Sequence, residues 1–222
     1  MPSKEPYELL QANREWAESC RRENPEYFSD MAKGQSPEFL WIGCSDSRVP
    51  AEDITGSAPG ELFVARNVAN LVVHTDLNLM SVLEYAVVYL KVKHIVICGH
   101  YECGGVKAAM ASRSFGTLNK WIRNIKDIAF MHRDELELLP NDGTRERRLI
   151  ELNVIEQAKN LTHTYVVQSA WNRGQELTIH GWVYDVGTGH IKDMISIDRG
   201  YPVPNAFKYD FEADTPPAIP NF

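Results

Sequence analysis

The chain has 222 residues, of which 44% are apolar and 24% charged, with a formal net charge of −7. That length suits one α/β domain or two small ones, and a single domain would bury roughly three-quarters of its unfolded surface; the composition excludes a disordered or fibrous chain. An acidic balance without any Lys/Arg block excludes a nucleic-acid backbone or an anionic membrane as the main partner and leaves a small molecule.

From the N-terminus, Met1 to Leu10 holds no apolar core behind a basic stretch, and no later apolar run is long enough to cross a bilayer, so a cytoplasmic protein is expected. Ser3 is the expected cap of a first helix, with Pro6 near its start. Leu9, Leu10, Trp16, Ala17 and Cys20 fall on one face of it, which needs a partner. Asn24 and Pro25 restart a short helix. The run Phe39, Leu40, Trp41, Ile42 reads as a buried strand, and 62–65 as a second. Asp76 caps an amphipathic helix containing Leu79, Val82, Leu83, Ala86, Val87 and Leu90. A third strand covers 94–98, and two long helices are predicted over about 118–139 and 145–172.

After Gly174 the pattern becomes Leu177, Ile179, Trp182, Tyr184, a turn at Gly187 to Gly189, and 191–197, which predicts a hairpin. Strands alternating with helices give an α/β fold: a mainly parallel central sheet, flanking helices and a C-terminal antiparallel hairpin or edge strand. The expected organisation is one domain over 1–222, with an N-terminal helical arm at about 1–34. An extended tail at about 200–222 carries Pro202, Pro204, Pro216, Pro217 and Pro220.

Four cysteines are too few for a disulfide framework in a chain of this size. Cys98 closes the apolar run Ile95, Val96, Ile97 and reads as a buried, inert thiol. Cys20 has no assigned role. Cys44 follows the first strand in Gly-Cys-Ser-Asp-Ser-Arg, and His100 and Cys103 follow the third in Cys-Gly-His-Tyr-Glu-Cys-Gly-Gly. Both groups therefore fall at strand C-termini, the edge of a parallel sheet where ligands gather. Two thiolates and an imidazole suit tetrahedral Zn2+, and three protein ligands leave a position for water or substrate. Asp46 and Arg48, two apart on the Cys44 loop, can pair; beside a metal ligand the carboxylate can orient a bound hydroxide while the guanidinium holds it. An ordinary loop ion pair would use the same two residues.

Cys44-x-Asp46-x-Arg48 with His100-x-x-Cys103 is the signature of β-class carbonic anhydrases, and 39–51, 61–75, 95–106 and 168–184, with Gln35, resemble the bacterial branch of that family. The resemblance implies hydration of carbon dioxide by zinc-bound hydroxide with one Zn2+ per subunit, and self-association as a dimer or tetramer in which the N-terminal helix reaches across. It implies Gln35, Phe63, Val68, Tyr85 and Gly104 as the lining of a narrow substrate cleft, although plain packing accounts for Phe63, Val68 and Tyr85 equally. In some members the match of Asp46 swings onto zinc, and a bicarbonate site regulates the enzyme. That site's residues match Trp41, Arg66 and Tyr184, with Gly43, Val49, Pro50 and Ala51 around them, a donor set suited to a planar anion. Glu102 departs from the small or neutral residue expected between the ligands.

Zinc lowers the pKa of bound water from about 15.7 to about 7 in a three-histidine site, and two thiolates should weaken that effect, so activity is expected to rise through the alkaline range. Three other readings stay open. A cysteine-nucleophile hydrolase would use Cys44 with Arg48, but their spacing is too short for a phosphate-cradling loop. A non-catalytic zinc module would not need Asp46 and Arg48. Related proteins with the same ligands hydrolyse other small linear molecules such as carbon disulfide.

Overall fold

The computed structural model describes residues 5–211, so the expected cap Ser3 and Pro216, Pro217 and Pro220 lie outside the described residues. The chain divides into two compact units, one up to Ser36 and one from Pro37. In the first, α1 (Pro6–Glu23) starts on a proline, whose missing N–H is harmless in the first turn. The cap is Glu5 rather than a serine: its backbone N–H donates to the Glu8 carboxylate at 2.6 Å. A short α2 (Tyr27–Met31) follows, and Trp16 meets Tyr27 and Phe28 edge-on at 6.5 and 5.7 Å. No residue of α1 is buried, and Leu9 and Leu10 are exposed.

The second unit runs β1 (Phe39–Cys44), α3 (Ala51–Thr55), β2 (Leu62–Asn67), α4 (Leu77–Glu84) and β3 (His94–His100), then α5 (Gly104–Met110), α6 (Leu118–Met131), α7 (Arg133–Glu137), α8 (Asp142–Thr162) and α9 (Tyr165–Asn172), and ends in β4 (Thr178–Tyr184) and β5 (Ile191–Ile197). The sheet order is β2-β1-β3-β4-β5, with β4 and β5 antiparallel and the other neighbours parallel. The α/β fold with an antiparallel edge is thus as the sequence predicts. Central β1 and β3 are apolar on both faces because both faces are covered. Leu40, Ile42, Ile95 and Ile97 join the main core under the helices, and each fully buried Leu or Ile contributes about 1.5–3 kcal/mol. The opposite face carries a smaller cluster of Trp41, Val96 and Cys98, with Ala51 from α3. Burial there pushes the Cys98 thiol up to about 12, which makes it inert.

Several boundaries differ from expectation, each for a local reason. The predicted helix 118–139 breaks at His132, which leaves helical geometry (φ −106°, ψ 21°) while its ring meets Glu156 at 3.2 Å. The predicted helix 145–172 starts at Asp142, capped by Asn141, and is split because Thr164 turns extended and its hydroxyl accepts the Val167 N–H at 3.3 Å. The strands continue past the apolar runs, so Cys44 and His100 end β1 and β3 rather than following them. Helices α3 and α5 are too short to leave a periodic signal. The helix capped by Asp76, whose carboxylate accepts the Asn78 N–H at 3.1 Å, is α4, and it continues as a π-helical turn over Tyr85–Tyr89. The described part of the tail lies against α9, where buried Gln168 donates to the Phe207 carbonyl at 2.8 Å and accepts the Tyr209 N–H at 3.0 Å.

Candidate metal centre

Parallel pairing of β1 with β3 sets Gly43 opposite Cys98, so the two strands deliver Cys44 and His100 to one edge of the sheet. Cys103 arrives three residues later as the cap of α5. Gly105 permits this approach, because a Cβ there would sit 2.9 Å from Val68 Cγ1 and 3.1 Å from Ala69 Cβ. The two sulfurs are 4.0 Å apart, and the two sulfurs and the imidazole lie within 4.8 Å of one another. Cys44 is 5%, His100 0% and Cys103 2% exposed. His100 Nδ1–H donates to the Tyr101 carbonyl at 2.9 Å, which fixes the tautomer and leaves Nε2 with a free lone pair. That Nε2 is buried and has no hydrogen-bond partner among the described residues.

An orphaned buried nitrogen is costly unless a ligand satisfies it. Two thiolates bound tetrahedrally at about 2.3 Å each would place their sulfurs about 3.8 Å apart, close to the observed separation. The trio therefore fits Zn2+. The two sulfurs bear on each other: the contact with Cys103 lowers the Cys44 thiol against the opposing effect of burial, while Cys44 and burial push Cys103 up. A cation held by both sulfurs would displace their protons.

Asp46 and Arg48 form a bidentate pair, with Arg48 Nε donating to Oδ1 at 2.9 Å and Nη2 to Oδ2 at 2.7 Å. The Arg48 hydrogen bond holds the Asp46 carboxyl well below the usual carboxylate range. Asp46 Oδ2 lies 3.7 Å from His100 Nε2, beside the three ligands. Arg48 Nη2 also donates to the Glu102 carbonyl at 3.2 Å, which is presented by a left-handed backbone at Glu102 (φ 60°). The Glu102 side chain is exposed and pairs with Lys107.

Residues 39–191 match the family model described as carbonic anhydrase. The chain is 50% identical over 186 residues to a carbonic anhydrase of Emericella nidulans, a match covering 84% of this chain and 82% of the relative. This chain belongs to the β-carbonic anhydrase family. Among solved structures, the Coccomyxa β-carbonic anhydrase in complex with acetazolamide superposes with a TM-score of 0.83 at 43% identity, covering 88% of this chain and 89% of that one. A tetrameric β-carbonic anhydrase from Sordaria macrospora gives a TM-score of 0.82 at 40% identity, covering 86% and 98%.

The remaining residues singled out in the sequence fall in three places of this β-carbonic anhydrase. Gln35 lies in the first unit and is exposed. Phe63 stacks on Tyr85 at 5.6 Å, and Val68, whose carbonyl accepts the Trp121 Nε1–H at 2.7 Å, is partly exposed; Gly104 opens α5 with open space around its Cα. Arg66 on β2 stands opposite Gly43 and donates to the carbonyls of Cys44, Asp46 and Val49 at 2.9, 2.6 and 3.1 Å. Trp41 is buried edge-on to Trp182 at 6.3 Å and shares the smaller cluster with Tyr184, Ala51 and Ile54. A Cβ at Gly43 would lie 2.4 Å from Trp41 Nε1, so only glycine fits there. Sequence reasoning missed Ala69 and Asn70, both buried with positive φ, and Ala69 donates its N–H to Cys44 Sγ at 3.4 Å.

Proposed function

We propose that this chain catalyses the reversible hydration of carbon dioxide to bicarbonate and a proton, with one Zn2+ held by Cys44, His100 and Cys103. The observation that carries this reading is the buried trio whose imidazole Nε2 has no hydrogen-bond partner among the described residues. When bound, zinc supplies Lewis acidity that makes water a nucleophile at accessible pH. Around it, the Tyr101 carbonyl aims His100, and Asp46 offers an acceptor for the hydrogen of a reacting oxygen. Arg48 holds that carboxylate charged and in place. Phe63, Val68 and Tyr85 supply apolar walls for an uncharged linear substrate. Stopped-flow hydration of carbon dioxide by protein with one zinc per chain should show catalysis that disappears on chelation and returns with zinc. Inactive zinc-loaded protein, turnover of carbon disulfide instead, or activity surviving zinc removal would each replace this reading.

Regulation by bicarbonate is part of the proposal. Its support is that Arg66 is the clamp on the loop carrying Asp46, with Trp41 and Tyr184 sharing one packed cluster on the neighbouring strands. An anion binding Arg66 would draw donors from the Asp46 and Val49 carbonyls, loosening the segment that Arg48 otherwise fixes. Trp41→Phe and Tyr184→Phe should weaken bicarbonate inhibition several-fold while the rate at low bicarbonate stays near wild type. Unchanged inhibition in initial-rate assays would remove the regulatory part alone. We also infer self-association as a dimer or tetramer, supported by exposed Leu9, Leu10 and Trp16 on α1, and a reducing, cytoplasmic compartment, supported by four free thiols. No described helix is long and apolar enough to cross a membrane.

A further inference from the structure

Ala69 and Asn70 adopt left-handed backbone angles (φ 65° and 49°) that residues with a Cβ disfavour, and both are buried. Something must hold them. The holding groups are carboxamides on one row of α8. Asn153 Nδ2 donates to the Ala69 carbonyl at 3.0 Å, and Asn153 Oδ1 accepts from Gln157 Nε2 at 3.0 Å. Gln157 Oε1 accepts the Val72 N–H at 2.7 Å, and Asn160 Nδ2 donates to the Val72 carbonyl at 3.3 Å. Asn153 and Gln157 are each only 1% exposed.

Carboxamides spaced four and three apart share one helix face, so a single row spans both ends of the 69–72 segment. Burying them is unfavourable unless every polar atom has a job, and here the job is to hold the peptide group between Ala69 and Asn70 and the Val72 end of the segment. The Ala69 N–H belongs to the preceding peptide group, whose Val68 carbonyl accepts the Trp121 Nε1–H at 2.7 Å; with the following group fixed by Asn153, the left-handed Ala69 between them holds that N–H on Cys44 Sγ at 3.4 Å.

We propose that Asn153 is a positioning residue for the metal chemistry: by gripping the Ala69 carbonyl it holds Ala69 in the left-handed conformation that keeps the Ala69 N–H on the Cys44 sulfur, and that hydrogen bond draws charge off the thiolate. Two thiolate ligands donate heavily and weaken a metal's Lewis acidity; a hydrogen bond to one of them restores part of it. The inference rests on the reading that Cys44, His100 and Cys103 hold the metal. It adds a control that acts from a helix 84 residues further along the chain than the loop it sets.

The test uses full-length protein loaded with cadmium-113 and read by proton–nitrogen NMR, and separately loaded with cobalt(II) and read by absorption. Wild type should show coupling of cadmium to the Cys44 β-protons and, through the N–H···S bond, to the Ala69 amide proton. Asn153→Leu, which keeps the volume and removes the donor, should abolish the amide coupling and move the sulfur-to-cobalt charge-transfer band to longer wavelength. Asn160→Ala, which removes the donor to the Val72 carbonyl and Gln157 Oε1 and leaves the Asn153 bond to Ala69 in place, should keep both signals. If Asn153→Leu does not fold, Asn153→Asp, which is isosteric and places an acceptor against the Ala69 carbonyl, serves in its place. Coupling to Cys44 without coupling to Ala69, or an unchanged amide signal and band in the Asn153 variant, overturns this inference and leaves the metal site standing. Absence of any cysteine coupling overturns the metal reading, and this inference with it.

Discussion

Cys103→Ser should give a protein that no longer retains stoichiometric zinc and hydrates carbon dioxide at the uncatalysed rate. Serine keeps the shape of the side chain but offers a hydroxyl where a soft thiolate is needed, and only two ligands remain. Loss of an outer-shell partner alone typically costs about 10–100-fold in metal affinity, so removal of a direct ligand should exceed about 100-fold. Metal competition with a chromophoric chelator, with far-ultraviolet circular dichroism to confirm folding, measures this directly. A folded variant with wild-type zinc affinity would show that Cys103 is not a ligand.

Asp46→Asn separates metal binding from turnover. The amide keeps the size of the carboxylate but cannot balance Arg48, so a guanidinium beside the metal centre is left with one neutral partner and the Glu102 carbonyl. Removal of one positioned acceptor or donor in such a site commonly costs about 10²–10³ in turnover, and a loss of that order is expected with zinc content unchanged. The carboxyl's pH behaviour follows from its depressed folded value. Its contribution to stability is fully present above the unfolded value of about 3.9 and is lost only as pH falls through the lower folded one. Asp46 therefore stays ionised throughout neutral and mildly acidic conditions, and the alkaline rise expected of the activity is assigned to another group. Steady-state rates across pH on wild type and variant, with zinc analysis on both, test the assignment; a full-rate variant would make Asp46 and Arg48 an ordinary loop pair.

The clustering of Cys44, His100 and Cys103 was legible because the segments that carry them follow apolar runs: Phe39 to Ile42 before Cys44, and Ile95 to Cys98 before His100. Parallel strands bring such endings together without any local sequence link. Strand ends were less legible, since Gly43 and Gly99 look like turns, yet both glycines sit inside strands where a neighbouring side chain occupies the space of a Cβ. The split at Thr164 had a signal, a hydroxyl residue able to cap, submerged in an otherwise helical pattern. The row of Asn153, Gln157 and Asn160 was hidden for a different reason: polar residues on an amphipathic helix read as a solvent face, and only the tertiary fold reveals the backbone they meet. Ala69 carries no signal at all, because nothing in an alanine announces a left-handed turn. Glu102 stood out as a departure, and its consequence lay in its carbonyl rather than its acid.

That carbonyl joins the segment bearing Cys44 to the segment bearing Cys103 through Arg48. The joint is made by main chain, so it is indifferent to which side chain occupies position 102 provided the left-handed angle can be reached. The charge at the mouth of the centre, here an acid paired with Lys107, is accordingly free to be exchanged without loosening the grip on Asp46.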